Sequence, residues 1–159
     1  MRFLLLGLAV FLTGCGTDWD VKKDGYGIIA ETRVHDHILQ ISHESLSHNL
    51  TPNPRLAKGE RGGEYLVYIS PDCKDVTDTP SSKALIIDGF SVPMQARCTN
   101  GNTTYKLHAW SKERAVIDIN GAKQSIDAGA LINNVKQRRT VVVDGVEFKT
   151  EGFNDGWFR

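Results

Sequence analysis

The sequence predicts an α+β fold, mainly β: a twisted antiparallel sheet or sandwich with one helix near the C-terminus. Three observations lead there. Short apolar runs alternate with turn dipeptides, among them Asp88-Gly89, Asn120-Gly121 and Asp144-Gly145, and such dipeptides between apolar runs mark hairpins. Only residues 125–138 carry a sustained helical period. The 159 residues show one composition regime, 40% hydrophobic and 24% charged, without repeats, which fits a single globular domain. The 19 basic and 19 acidic side chains cancel, so the chain lacks the electropositive balance of a nucleic-acid binder.

The first segment stands apart from the domain. Arg2 precedes an uninterrupted run without polar side chains, residues 3–12. That run is too short to span a bilayer, which needs roughly 20 apolar residues, and has the length of a secretory signal. It ends in Leu12-Thr13-Gly14-Cys15: an aliphatic residue, two small residues and a cysteine. This resembles the lipobox of bacterial lipoprotein precursors. The resemblance implies cleavage after residue 14, a diacylglyceryl thioether on Cys15 and acylation of the new amine. It covers the signal alone and points to no downstream family. Two or three acyl chains anchor a protein stably where one does not. Gly16 rather than aspartate follows the cysteine, which favours outer over inner membrane where enteric sorting applies.

The organisation expected is therefore a signal over residues 1–14, a lipidated start and polar tether over 15–25, and a β-rich domain over 26–159. Export leads to an oxidising compartment, so Cys73 and Cys98 are expected to pair. Strands are expected over residues 26–34, 37–42, 65–69, 83–87, 91–96, 104–110, 115–119, 140–143 and 146–149. Val34, Ile38 and Ile41 also fit one helix face. Pro93 would place its strand at a sheet edge. The helix would present Ile126, Ala130, Leu131 and Val135 on one face and begin near Ser125. Three aromatics close the tail, Phe153, Trp157 and Phe158, and docking would spare them exposure.

Candidate chemistry centres on His35, His37, His43 and His48. A strand would put His35 and His37 on one face, as a metal site needs. His35, His37 and His43 are thus the candidate ligands for a divalent metal, with Glu44 and His108 as completing residues. The same histidines also read as solvated groups on an edge strand and its loop. His43 and His48 are five apart, about 140° around a helix, so the two-histidine zinc-protease motif does not apply. Gly25-Tyr26-Gly27-Ile28-Ile29-Ala30 lacks the hydrophobic strand that precedes a dinucleotide fingerprint. Ser91 lacks a nucleophile elbow. Asp72, Asp75 and Asp78 depart from calcium-loop spacing. Lys136, Arg138 and Arg139 form a small basic cluster, which reads as a helix-end charge cluster or as a surface for lipid headgroups or an acidic partner. The reading is a non-enzymatic envelope protein, lipid-anchored, with a protein partner and no cofactor beyond its covalent lipid. The alternative is a metal- or small-ligand-binding lipoprotein built on His35–His48.

Overall fold

The structure is a computed structural model that describes residues 18–157. The first hairpin joins β1 (Asp20–Asp24) to β2 (Gly27–Val34). The chain continues through β3 (His37–Glu44), two-residue strands β4 (Ser47–His48) and β5 (Thr51–Pro52), and β6 (Gly63–Ser70). Next come β7 (Ser81–Ile87), β8 (Phe90–Thr99), β9 (Asn102–His108), β10 (Arg114–Ile119) and β11 (Ala122–Asp127). Helix α1 (Ala128–Gln137), strands β12 (Thr140–Val143) and β13 (Val146–Lys149), and the short helix α2 (Phe153–Trp157) complete the order. The fold is α+β and mainly β, with antiparallel pairing throughout, as the alternation predicts.

Hairpin chemistry sets this topology. Asp88-Gly89, Asn100-Gly101, Asn120-Gly121 and Asp144-Gly145 all hold positive φ at both positions. Two-residue hairpins need that backbone, and Asn/Asp-Gly pairs supply it at least cost. The main sheet runs β1-β2-β3-β6-β9-β8-β7-β12-β13, with the β10–β11 hairpin attached through β8. Its far ends return toward each other: Thr32 Oγ1 on β2 donates to the carbonyl of Lys149 on β13 at 3.0 Å. The curled sheet encloses Leu39, Ile41, Leu66, Tyr68, Met94, Leu107 and Phe148, all buried. Helix α1 adds Ala128, Leu131, Ile132 and Val135 to that core, a spacing of three, four and seven that forms one face.

Three expectations change. The segment expected as a tether over 15–25 is structured wherever it is described: β1 pairs with β2 along its whole length, and Trp19 is buried. Trp19 Nε1 donates to the Thr150 carbonyl at 2.8 Å, and its ring meets Phe153 edge-on at 5.2 Å. A lone tryptophan among aspartates carries no period, so burial was invisible in the sequence. Secondly, α1 starts three residues later than expected. The β10–β11 register runs on to Arg114↔Asp127, and Asp127 Oδ1 then caps the Ala130 N–H at 2.7 Å. Thirdly, β8 is not an edge: it lies between β7 and β9. Pro93 is tolerated because β10 opposes β8 at Ser91 and β9 only from Gln95 onward, so its missing N–H falls in the gap. Residues 34–41 take the expected hairpin and strand rather than the helix face that Val34, Ile38 and Ile41 would also fit. Cys73 and Cys98 form the expected disulfide, and Phe153 is buried in the docked tail. Phe158 and the signal, with Cys15, lie outside the described residues.

Candidate functional site

The histidines do not converge. His35 sits in the β2–β3 turn with φ 51°, so His35 and His37 do not share a strand face. His37 opens β3 and holds the Tyr68 hydroxyl at 2.8 Å through Nδ1, its ring stacked on the phenol. His43 lies six residues further along β3, roughly 20 Å away, and is exposed. Glu44 next to it points to the other face of the sheet. His48 packs against Tyr26 at 5.8 Å, and a Cβ at Gly25 would strike its ring at 2.5 Å. Among the described residues no group of three His, Cys, Asp or Glu side chains is placed to hold a metal ion. Nor is β3 an edge strand, since it lies between β2 and β6.

The basic cluster is accounted for by local ion pairs. Lys136 pairs with Glu64, Arg138 with Asp88 at 3.5 Å and Arg139 with Glu151 at 3.5 Å. Asp72 and Asp78 each offer a backbone carbonyl, to Thr103 Oγ1 at 2.6 Å and to Arg97 Nε at 2.8 Å.

The site that the structure builds lies on the outer face of the sheet. Alternation along β3, β6, β9 and β8 aligns rows across that face: Ser42, Tyr65 and His108; Gln40, Val67, Lys106 and Gln95; Ile38, Ile69, Thr104 and Arg97. Residues 53–62, between β5 and β6, fold back over these rows as a strap. Tyr65 and Val67 are buried here although they belong to the outer face, outside the main core.

Charge and hydrogen bonds pin the strap. Asn53 is buried and donates from Nδ2 to Glu44 Oε2 at 3.0 Å and to the Ser45 carbonyl at 2.8 Å. Arg55 donates Nε to the same Glu44 oxygen at 2.9 Å and both terminal nitrogens to Asp24, at 2.6 and 3.1 Å. The Arg55 hydrogen bond holds the Asp24 carboxyl below its ordinary value, with help from the Tyr26 N–H. Burial works against the Arg55 charge, but Asp24 and Glu44 outweigh it and hold its pKa above the ordinary value. At the strap's far end Glu60 accepts from Lys106 Nζ at 2.9 Å and from the Ala57 N–H at 2.7 Å. Lys106 Nζ also stands 5.0 Å over the Tyr65 ring.

Between strap and sheet runs a cleft of about 770 Å³. Pro54, Leu56, Ala57 and Pro80 give it apolar walls, and Arg55, Lys58, Arg61, Arg97 and Lys106 give it cations against the single carboxylate of Glu60. A second hollow of about 270 Å³ shares Arg55, Tyr65, Thr104 and Lys106 with it and reaches Ile29, Gln40 and Glu44. His108 and Tyr65 inside are engaged. His108 Nδ1 accepts the Trp110 N–H at 3.2 Å, which leaves Nε2 protonated 3.4 Å from the Gly62 carbonyl. The Tyr65 hydroxyl donates to the Arg61 carbonyl. Burial first, then Glu60 and Glu44, push its pKa up to about 12, so it stays neutral. These contacts suit a rigid binding surface.

Pro, Asn and Gly residues mark 51–54 and 58–63 only as loop in the sequence. A connection this long within a compact domain was itself the available signal. No family model, curated protein or solved structure matches the chain.

Proposed function

We propose that this chain is a lipid-anchored, non-enzymatic protein of the bacterial envelope, destined for the outer membrane, whose domain binds a protein partner through the strap cleft. The observation that carries the reading is the order Arg2, apolar run, Leu12-Thr13-Gly14-Cys15, followed almost at once by the buried Trp19. A lipid on Cys15 would be joined to Asp18 by three residues, a reach of at most about 11 Å. The domain would then ride close against its membrane. The Cys73–Cys98 disulfide supports an oxidising compartment. The cleft, with its hydrogen-bonded rim and engaged histidine, supports binding rather than turnover.

Substitution Cys15→Ser tests the anchor. Wild type is expected to incorporate labelled palmitate and to sediment with membranes, and the variant to do neither. Membrane retention of the variant at the wild-type level would remove lipidation at Cys15 as the anchor. Cross-linking in cells tests the partner. An envelope protein recovered with wild type, and lost when Arg61 and Arg97 are reversed in charge, supports the reading; recovery of nothing above background refutes it.

A further inference from the structure

We propose that the strap cleft binds an extended acidic peptide segment, its carboxylates held by Arg61, Arg97 and Lys58. The inference rests on the partner-binding reading above and names the chemistry of the partner.

The charge distribution argues for it. The whole chain is neutral, yet three cations collect around this cleft without a carboxylate of their own. Arg55 and Lys106 are occupied by Asp24, Glu44 and Glu60. Arg61 and Lys58 form no ion pair among the described residues, and Arg97 spends only Nε, on the Asp78 carbonyl. All three are exposed and border the same space. Guanidinium groups favour carboxylates because two parallel N–H donors match two oxygens.

The walls select a peptide over other polyanions. Leu56 and Pro80 offer apolar contact, which suits side chains alternating along an extended backbone. A single-stranded nucleic acid would need an open aromatic platform for its bases. Tyr65 gives none, since Lys106 stands over its ring at 5.0 Å and His108 packs on it at 4.6 Å. Asn53, Glu44 and Arg55 fix the base of the strap, so the cleft is formed before a ligand arrives and little ordering cost attends binding.

Binding of fluorescent probes to the full mature protein tests the proposal. The probes are a short peptide alternating glutamate and leucine, the matching lysine–leucine peptide, oligothymidylate, and phosphatidylglycerol vesicles. The acidic peptide is expected to bind saturably and to weaken as salt rises. Arg61→Glu with Arg97→Glu is expected to lower its affinity at least about tenfold, while Lys112→Glu, outside the cleft, leaves it unchanged. Circular dichroism and the urea midpoint of each variant confirm an intact fold. Absence of saturable binding, indifference to the double reversal in a folded variant, or tighter binding of oligothymidylate or vesicles each overturns it. The peptide measurement does not depend on lipid: loss of peptide binding with palmitate incorporation intact refutes the ligand and leaves the anchor standing, and the converse result does the reverse.

Discussion

Replacing Trp19 by alanine separates two accounts of the N-terminal segment. If residues 15–25 were a tether, the change would be silent. In the structure Trp19 is 4% exposed, donates to the Thr150 carbonyl and packs on Phe153. An indole of this kind removes roughly 200 Å² from water, worth about 5 kcal/mol at 25 cal/mol per Å² as an upper bound. The lost hydrogen bond adds about 1 kcal/mol, and inward relaxation of edge strand β1 returns part of the sum. The expected loss is about 4 kcal/mol, inside the 3–5 kcal/mol usual for such core truncations. Urea unfolding followed by far-ultraviolet dichroism is the assay, with the slope unchanged and the midpoint lowered. In thermal unfolding the same loss corresponds to roughly 10–15 °C. Trp19→Phe keeps a ring against Phe153 and loses the donor, so about 1–2 kcal/mol is expected there. A Trp19→Ala loss below about 1 kcal/mol would refute the reasoning and return the segment to a tether.

Three further outcomes follow from the same contacts. Asp24 and Glu31 both have folded pKa values below their ordinary 3.8 and 4.5. For Glu31 burial acts upward, but hydrogen bonds from Arg33 and Gln40 outweigh it. Their contribution is therefore complete above those ordinary values and is lost as pH falls through the depressed ones, so the urea midpoint should drop steeply below about pH 4. Asp24→Asn should flatten that drop, and an equally steep curve in this variant would count against the Arg55 pair as its source. At the alkaline end, burial pushes both Tyr65 and Tyr68 up to about 12 from 10.0. The stability they lend is present below pH 10 and lost between 10 and 12, and tyrosinate absorbance at 295 nm should show these two, together with Tyr105, whose pKa burial also raises, ionising late among the four tyrosines. Finally, the Cys73–Cys98 bond closes a separation of 25 residues, which the chain-entropy relation values at about 3.5 kcal/mol. Replacing both cysteines by serine should shift the unfolding free energy by about that amount; no shift would mean that the open form is constrained by other contacts.

What the sequence made legible was local. The Asn-Gly and Asp-Gly pairs place four hairpins because φ requirements act on two adjacent residues. The face of α1 shows in part: Leu131 and Val135 lie on it as expected, whereas Ile126 belongs to β11, Ala130 is only half-buried, and Ala128 and Ile132 complete the face. The disulfide followed from compartment and count. What stayed hidden depends on contacts between distant segments. Tyr65 and Val67 alternate correctly with Leu66 and Tyr68, and only the strap decides that both faces of β6 are buried. Lys106 and Arg97 look like unrelated surface residues until β8 and β9 bring them to one cleft with Leu56. The histidine cluster misled in the opposite way: closeness in sequence gave His35, His37 and His43 a shared site, and a turn and a strand of roughly 20 Å separated them.

The seam of Trp19 with Thr150 and Phe153, together with the return of β13 to β2, has a consequence for biogenesis. The pocket for a residue at the start of the domain is made from residues near its end. A chain that emerges N-terminus first cannot fill that pocket until Phe153 has also emerged, so a partly released domain holds an open sheet with its first strand unsecured. Closure of the sheet is thereby deferred until the last residues of the domain are free to pack.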